Sequence, residues 1–596
     1  MPQKKPAINY TSRDFESIRS DLESYVKRYY PDNFKDFTEA SFGSLMLDTV
    51  SYVGDILSFY VDYQANESYL ATANEFQNIL KLSSELGYKY RPHPSSFGVC
   101  NFYITVPAET NFPSPDEDYK PILKKGSTFY SVSNTIFTLL EDVNFSKSTN
   151  PIVLAEQDGD SGAPISYAIR AAGQVVSGET AVQDVTIGPF QRFLRIAING
   201  QNVSEIVSVF DANGNQYFEV DYLTQNVIYV PVLNRDTNSD TVPYILKPLS
   251  VSRRFMVDNT PNGVYLQFGY GSQEAPIALK DPADVVLQLH GKDYVSDTSF
   301  DPSILNETDK LGVTPADTVL TIIYRINTND NANSAANTIT KVGTANFQFN
   351  AQETLTTSKK NAVINSLSVL NEEPIIGDMA LTGPDELKHR AIGNFAAQYR
   401  AVTKQDYISI AYNMPSKYGK LKRCTIELDS DSYNQRNLNI YVISEDTDSK
   451  LVTSNGTLKG NLKTWINQYK MINDTVDILD AKIANIGIEF KALAFPGVNK
   501  YDVLNESIAV LQGVFAKTFY IGEPLLITDV YQTLKSVPDV MDVINVDIVV
   551  KSGAAYADSP ISIEDAMSSD GRYVTPPSDT IFEIKIPDSD ILGTIL

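Results

Sequence analysis

Between Phe42 and Pro92 the apolar positions follow helical spacing with few interruptions. In heptads, Val50 and Leu57 take the first position and Met46, Val53 and Tyr60 the fourth, which makes one continuous apolar stripe. Asp48, Asp55 and Asp62 recur every seven residues on the opposite face, which reads as the solvated back of the helix, and Gly54 would let a neighbouring backbone come close. A second helix is bracketed by Thr72 and Glu75 as a capping box and by Gly87 at its end, with Phe76, Ile79, Leu82 and Leu86 at three- and four-residue spacing. An earlier amphipathic segment runs from Ser12 through Ile18, Leu22, Tyr25 and Val26.

After Pro92 the period changes from helical to alternating. From Val99 to about Tyr294 the chain is rich in Val, Ile, Thr, Tyr and Phe at alternate positions, broken by turns such as Asn213-Gly214 and Asn262-Gly263. Thr110 to Lys125 and Asp158 to Pro164 read as long surface loops. The polar run from Asn327 to Ala345 marks a linker or an exposed strand-and-loop excursion. Helices return at Pro384, with Leu387, Ala391, Ile392 and Phe395 on one face, and at Thr403, where Asp406 completes a cap and Tyr407, Ile410 and Ala411 form the apolar side. Beyond 420 strands and helices alternate: strands at Leu421 to Leu428, Leu438 to Ile443, Ile486 to Ala494 and, closing the module, Val543 to Val550; helices at Leu458 to Tyr469, Val503 to Phe519 and Thr528 to Leu534.

The fold class expected is α+β and multidomain: an N-terminal helical region at 1–95, β-rich domain or domains at 96–326, the linker or strand excursion at 327–375 and a C-terminal α/β module at 376–596. With 73 acidic against 49 basic residues the net charge is −24, which argues against nucleic acid and anionic lipid as partners. No apolar run approaches the roughly 20 residues that span a bilayer, and the start of the chain lacks the apolar core of a secretory signal. A soluble protein made in a cytoplasm is expected.

The chemistry of catalysis is sparse. Cys100 and Cys424 alternate in register with apolar strand positions and read as small buried hydrophobes. His93, His290 and His389 are far apart, with no metal-binding or catalytic spacing. Gly269-Tyr270-Gly271 lacks the rest of a phosphate loop, and Asp429, Asp431 and Asn434 begin a calcium loop without its later Gly and Glu. No catalytic, cofactor or metal residue is assigned, and no enzyme activity is expected.

One group of residues does resemble a known family. Gly43-Ser44-Leu45, Gly54-Asp55, Phe59-Tyr60, Ala65-Asn66-Glu67, Tyr69-Leu70, Thr72-Ala73 and Leu86-Gly87-Tyr88 resemble the N-terminal signature of baseplate J-like proteins. The likeness continues at Phe268 to Gly271 before Pro276, at Asn371, Pro374 and Gly377, and at Arg400-Ala401-Val402-Thr403 with Asp406-Tyr407. Tyr270 replaces an acid usual in the family, and Ile376 stands where a glycine pair is common. In length, acidity and the opening TSRDF, the chain is similar to the larger wedge subunits of T4-like contractile-tailed phages, cyanophages included.

The resemblance implies structural work in a virion. Two copies would pair with a third, different wedge protein in a helical bundle, beside a sheath-initiating wedge protein. Six wedges would close a ring around the tail tube that rearranges when the sheath contracts. It implies self-association through the C-terminal module as well, although the Leu504, Ile508, Leu511 and Phe515 face of that module reads as core.

The interface candidates are therefore Met46, Val50, Val53, Leu57 and Tyr60. On residue pattern alone they would cover the chain's own helices, whereas the resemblance turns them toward other subunits. A different class, a tail-associated polysaccharide-binding or polysaccharide-hydrolysing protein, would be expected to show repeated β motifs or dense exposed aromatics. Here the 34 tyrosines are scattered and Trp465 is the sole tryptophan.

Overall fold

The computed structural model describes residues 11, 13–30, 41–90, 94–109, 113–159, 163–200, 202–233, 244–260, 263–271, 311–327, 331–350, 355–379, 383–429, 437–515, 517–558 and 561–596. Expectations that rest on Ser12, Pro92, His93, Asn262, Pro276, His290, Asp431 and Asn434, and on parts of the loops near 110 and 160, lie outside these residues. The architecture is α+β: N-terminal helices, a β-rich middle and a C-terminal mixture of both. It divides into two compact units, Met1–Tyr90 with Leu381–Arg400, and Arg91–Ala380 with Ala401–Leu596.

The first unit is helical. Helix α1 (Phe15–Tyr29) starts from an Asp14 and Ser17 capping box. Helix α2 (Phe42–Glu67) starts from Ser41, whose hydroxyl accepts the Ser44 N–H at 3.0 Å. Helix α3 (Phe76–Glu85) ends in a Schellman motif: Gly87 takes φ +81°, its N–H donates to the Ser84 carbonyl, and the Tyr88 N–H donates to the Ser83 carbonyl. Helix α4 (Pro384–Ala397) begins on Pro384, as its sequence predicts. Ala73, Ile79, Leu80 and Tyr88 pack with Leu387 and Ala391 in the core of the unit. Ile392 and Phe395, expected on the buried face of α4, are exposed, and Arg390, Asn394 and Ala397 are buried instead.

The start of α3 corrects another expectation. Thr72 does not cap it: its hydroxyl donates to the Asn66 carbonyl, and Glu75, the residue before the helix, makes no side-chain cap. The cap comes from the end of α2. The buried Glu67 carboxylate accepts the Asn74 N–H at 2.8 Å, the Glu75 N–H at 3.3 Å and the Asn78 side-chain amide at 2.9 Å. Burial acts to raise this carboxyl, but the hydrogen bonds from Asn78, Asn74 and Glu75, with the charge of Lys388, outweigh it and hold it below its ordinary value. A negative group here also meets the positive end of the helix dipole.

The second unit contains three β modules. In the first, strands Ile339–Val342, Thr128–Ser131, Ile136–Leu139, Pro164–Ser177, Phe97–Pro107 and Ser368–Leu370 lie side by side, with Ile152–Gln157 paired to Pro164–Ser177 off this path. Cys100, Phe102, Ile104 and Val106 alternate into its core, and burial pushes the Cys100 thiol up to about 12. The stretch read as a linker or strand excursion supplies the strands Ile339–Val342 and Ser368–Leu370, and Ile339, Phe349 and Val363 are buried in the same core. Part of its polarity is buried: the Asn333 and Asn371 side chains are almost fully covered and hydrogen-bonded within the fold.

The second module is carried between the two halves of the first. Its strands follow the order Glu179–Ile187, Thr318–Ile326, Val203–Asp211, Gln216–Glu219, Arg254–Thr260, Gly263–Phe268 and Arg195–Ala197 around Val209, Leu266, Phe268, Leu320 and Ile322. Gln183 links the two ends of this order: its amide donates to the Ala197 carbonyl at 3.2 Å and its oxygen accepts the Asn199 N–H at 3.0 Å.

The third module, after 401, holds the expected alternation with more strands than expected. Arg423–Leu428, Asn437–Glu445, Leu451–Val452 and Thr475–Asp480 form one sheet, and Cys424 is buried there. Val540–Val550, Lys482–Ala494, Thr580–Glu583 and Ile591–Ile595 form another, under helices Lys500–Phe515 and Ile527–Lys535. Val540–Val550 therefore does not close the module: Ile591–Ile595 adds in parallel on the other side of Lys482–Ala494. Its Ile591-Leu592-Gly593-Thr594-Ile595 run is too short to stand out by alternation.

Replacing Glu67 with Ala should cost about 1–3 kcal/mol in chemical unfolding followed by far-ultraviolet circular dichroism, since three donors lose a buried acceptor. Because the folded carboxyl is held low, this contribution should be present at neutral pH and fade as pH falls below 4.5. An E67A chain as stable as the parent at pH 7 would contradict the capping role.

Candidate assembly interface

Helix α2 sets the geometry of the candidate site. Its 26 residues contain no Lys or Arg, and the helix is about 39 Å long at 1.5 Å per residue. The stripe that packs on α1 is the small, polar one. Ser44 and Ser51 are buried, and Arg19 of α1 reaches across, its Nη2 donating to the Ser44 hydroxyl at 3.1 Å and its Nε lying 2.7 Å from the Asp48 carboxylate. Ile18 fits against Gly54, where an added Cβ would sit 3.2 Å from its Cδ1. Further along, Asp62 accepts both the backbone N–H and the hydroxyl of Thr11, each at 2.9 Å.

This reverses the expected orientation. Asp48, Asp55 and Asp62 are each half-buried, and two of them are tied to residues before or within α1. The physical reason lies in size: Ser, Gly and Asp are short enough for two helices to approach closely, and Arg19 places a cation beside the half-buried Asp48.

The apolar seam points away. Met46 is 51% exposed, Val50 50%, Val53 50%, Leu57 58% and Tyr60 62%, so all five candidates remain together on one uncovered face. Beside them runs a second row that the heptad reading overlooked, Leu45, Tyr52 and Phe59, also exposed and spaced by seven. Consecutive residues sit about 100° apart around a helix, so the two rows together make an apolar arc of roughly 150°. Phe59 stacks on Tyr63 with ring centroids 6.2 Å apart, which holds the row's end in place. The seven-residue recurrence of Leu45, Tyr52 and Phe59, with no long cation anywhere on the helix, was the signal for this second row.

Other candidate chemistry is not assembled. Among the described residues there is no group of three or more His, Cys, Asp or Glu side chains that could hold a metal, and no helix long and apolar enough to cross a membrane. Trp465 donates its indole N–H to the Ile410 carbonyl at 2.8 Å and packs edge-on to Tyr469, so its ring is engaged inside the fold. A cleft of about 440 Å³ is lined by Asp429, Asn439, Lys459, Lys463 and Asp477, where the lysines are paired with Asp480 and Asp477.

Comparison with known proteins bears on this helical unit. Residues 14–84 match the family model described as bacteriophage baseplate protein, N-terminal domain. The match covers α1 to α3 and thus speaks for the N-terminal part of the chain; it supports a structural role in a phage tail baseplate. No curated protein matches the chain. A solved structure, the cryo-EM structure of the anti-feeding prophage (AFP) baseplate, 6-fold symmetrised, aligns over 96% of this chain and 98% of its own, at 10% identity and a TM-score of 0.26. That likeness is too slight to assign a fold.

Replacing Gly54 with Val should crowd Ile18 and cost roughly 1–3 kcal/mol, because an added Cβ already meets the Ile18 side chain at 3.2 Å and the two further methyl groups must displace it. Thermal unfolding of the full chain followed by circular dichroism would measure it. An unchanged midpoint would show that α1 does not pack at Gly54.

Proposed function

We propose that the chain is a wedge subunit of a contractile phage-type tail baseplate, and that the exposed face of α2 is where it joins its neighbours. The carrying observation is the orientation of α2: its polar stripe is used up on α1, and its apolar arc is left outward. Fully burying one large aliphatic side chain is worth about 1.5–3 kcal/mol, so five half-exposed ones offer on the order of 5 kcal/mol to a partner that covers them. Two adjacent rows favour two partner helices over one, since a two-stranded coiled coil buries a single seam. A bundle with a second copy and a third, different protein meets that requirement.

In this reading the work is structural and not enzymatic. Six wedges form the ring around the tail tube, the C-terminal module contributes self-association, and the ring rearranges when the sheath contracts. The net charge of −24 keeps unassembled subunits mutually repelling, while an uncharged apolar arc is suited to fit a specific partner.

The test is substitution of Val53 and Leu57 by Asp together. Both side chains are exposed, so the isolated chain should keep its circular dichroism spectrum and melting point within about 1 kcal/mol. Co-purification with the neighbouring tail proteins should be lost. Undiminished co-purification would overturn the assignment of this face.

A further inference from the structure

The three β modules of the second unit meet at a buried polar junction. Asn333, which follows the inserted module in the chain, is at its centre: its side-chain NH2 donates to the Asp378 carbonyl and to the Glu445 carbonyl, each at 3.0 Å, and its oxygen accepts the Asp378 N–H at 3.0 Å. Ser96 joins in, donating its hydroxyl to Asn333 at 2.7 Å and accepting the Asp378 N–H at 3.2 Å. The inserted module is tied through Asn327, which accepts from the Ser177 hydroxyl at 3.1 Å and donates to the Pro94 carbonyl at 3.0 Å. Gly377, at φ +138°, has the Ser95 carbonyl 2.8 Å from where a Cβ would stand, and its own carbonyl accepts the Lys420 N–H.

One ionisable side chain is built into this network. The Asp378 carboxyl is buried, with one oxygen accepting the Ala332 N–H at 2.8 Å and the other accepting the Met379 N–H at 2.8 Å. A carboxylic acid keeps a lone pair on each oxygen, so both bonds survive protonation. Ionisation keeps them too, but leaves a charge on a buried carboxyl, with the Ala332 and Met379 N–H dipoles and the charge of Lys420 set against the cost of burying it.

We propose that Asp378 is a proton-responsive pin of the junction: protonated, it holds segments 331–335 and 375–379 docked; ionised, it lets them open more readily. The junction is then tighter in mild acid than at neutral pH. Burial pushes this carboxyl from 3.8 up to about 6, against the lowering effect of the Ala332 and Met379 N–H groups and of Lys420, and with Glu445 adding to the rise. Glu445 is itself paired with Lys422, whose Nζ lies 2.7 Å from its carboxylate. The docked state therefore binds more protons than the open state between about pH 4 and 6, and docking weakens as pH rises through that window.

Hydrogen exchange of the full-length chain, corrected for intrinsic rates and read on peptides covering 331–335 and 375–379, tests this. Between pH 5 and 7 opening should rise about tenfold, the value a shift from 3.8 to about 6 gives, while strand 97–107 shows no matching change. D378N should remove the pH dependence and leave the junction uniformly less protected, because Asn has one acceptor oxygen for two N–H donors. Equal protection of the wild-type junction at both pH values, or a pH dependence that survives D378N, would overturn the proposal. The wild-type comparison decides even where D378N fails to fold.

Discussion

The packing of α1 on the short polar stripe of α2 is the contact on which the reading of the N-terminal unit depends. Arg19 over Asp48 and Ser44, Ile18 in the notch at Gly54, and Thr11 on Asp62 fix the rotation of α2 about its own axis. Once that rotation is set, Met46, Val50, Val53, Leu57 and Tyr60 have no place to go but outward. The partly exposed Arg19 and Asp48 pair adds little stability by itself, since solvent screens it. Its role is directional: a rotation by a third of a turn would break the pair and bring apolar side chains against Arg19.

A helix arranged in this way carries a cost in isolation, an apolar surface in water, and a matching gain on association. Glu67 extends the same logic to the turn after α2, because its carboxylate couples the end of α2 to the start of α3. The helical unit thus has its own stabilising contacts, in the α3 and α4 core, that do not draw on the exposed arc. The second unit uses different means. Its modules have separate apolar cores and are held at their meeting point by side-chain amides and one buried acid, which gives direction and register where apolar packing alone would slide.

Much of the fold was legible in sequence because period and punctuation agree there. Thr403 and Asp406 form the capping box their spacing implies, Gly87 takes the left-handed position, and the Cys100 to Val106 alternation is a core strand face. What was not legible depended on contacts between distant residues. The acids on α2 read as solvated because nothing local shows that Arg19, 29 positions earlier, will lie across Asp48. Thr72 and Glu75 satisfy a capping-box pattern, yet the buried Glu67 takes the Glu75 N–H that Thr72 would cap, and the Thr72 N–H goes to the Tyr69 carbonyl. Short strands such as Ile591–Ile595 carry too few residues for a period to emerge and are defined by the neighbour they pair with. The apolar seam itself was visible from spacing. Which way it faced was a tertiary fact.

On the proposed function, this seam is free in the isolated chain and covered in the assembled tail. Hydroxyl-radical footprinting of the purified protein and of the assembled baseplate measures that directly. Met46, Tyr52, Phe59 and Tyr60 should label strongly in the isolated chain and lose most of that labelling on assembly. Equal labelling of these four side chains in both samples would show that this face of α2 is not an assembly interface.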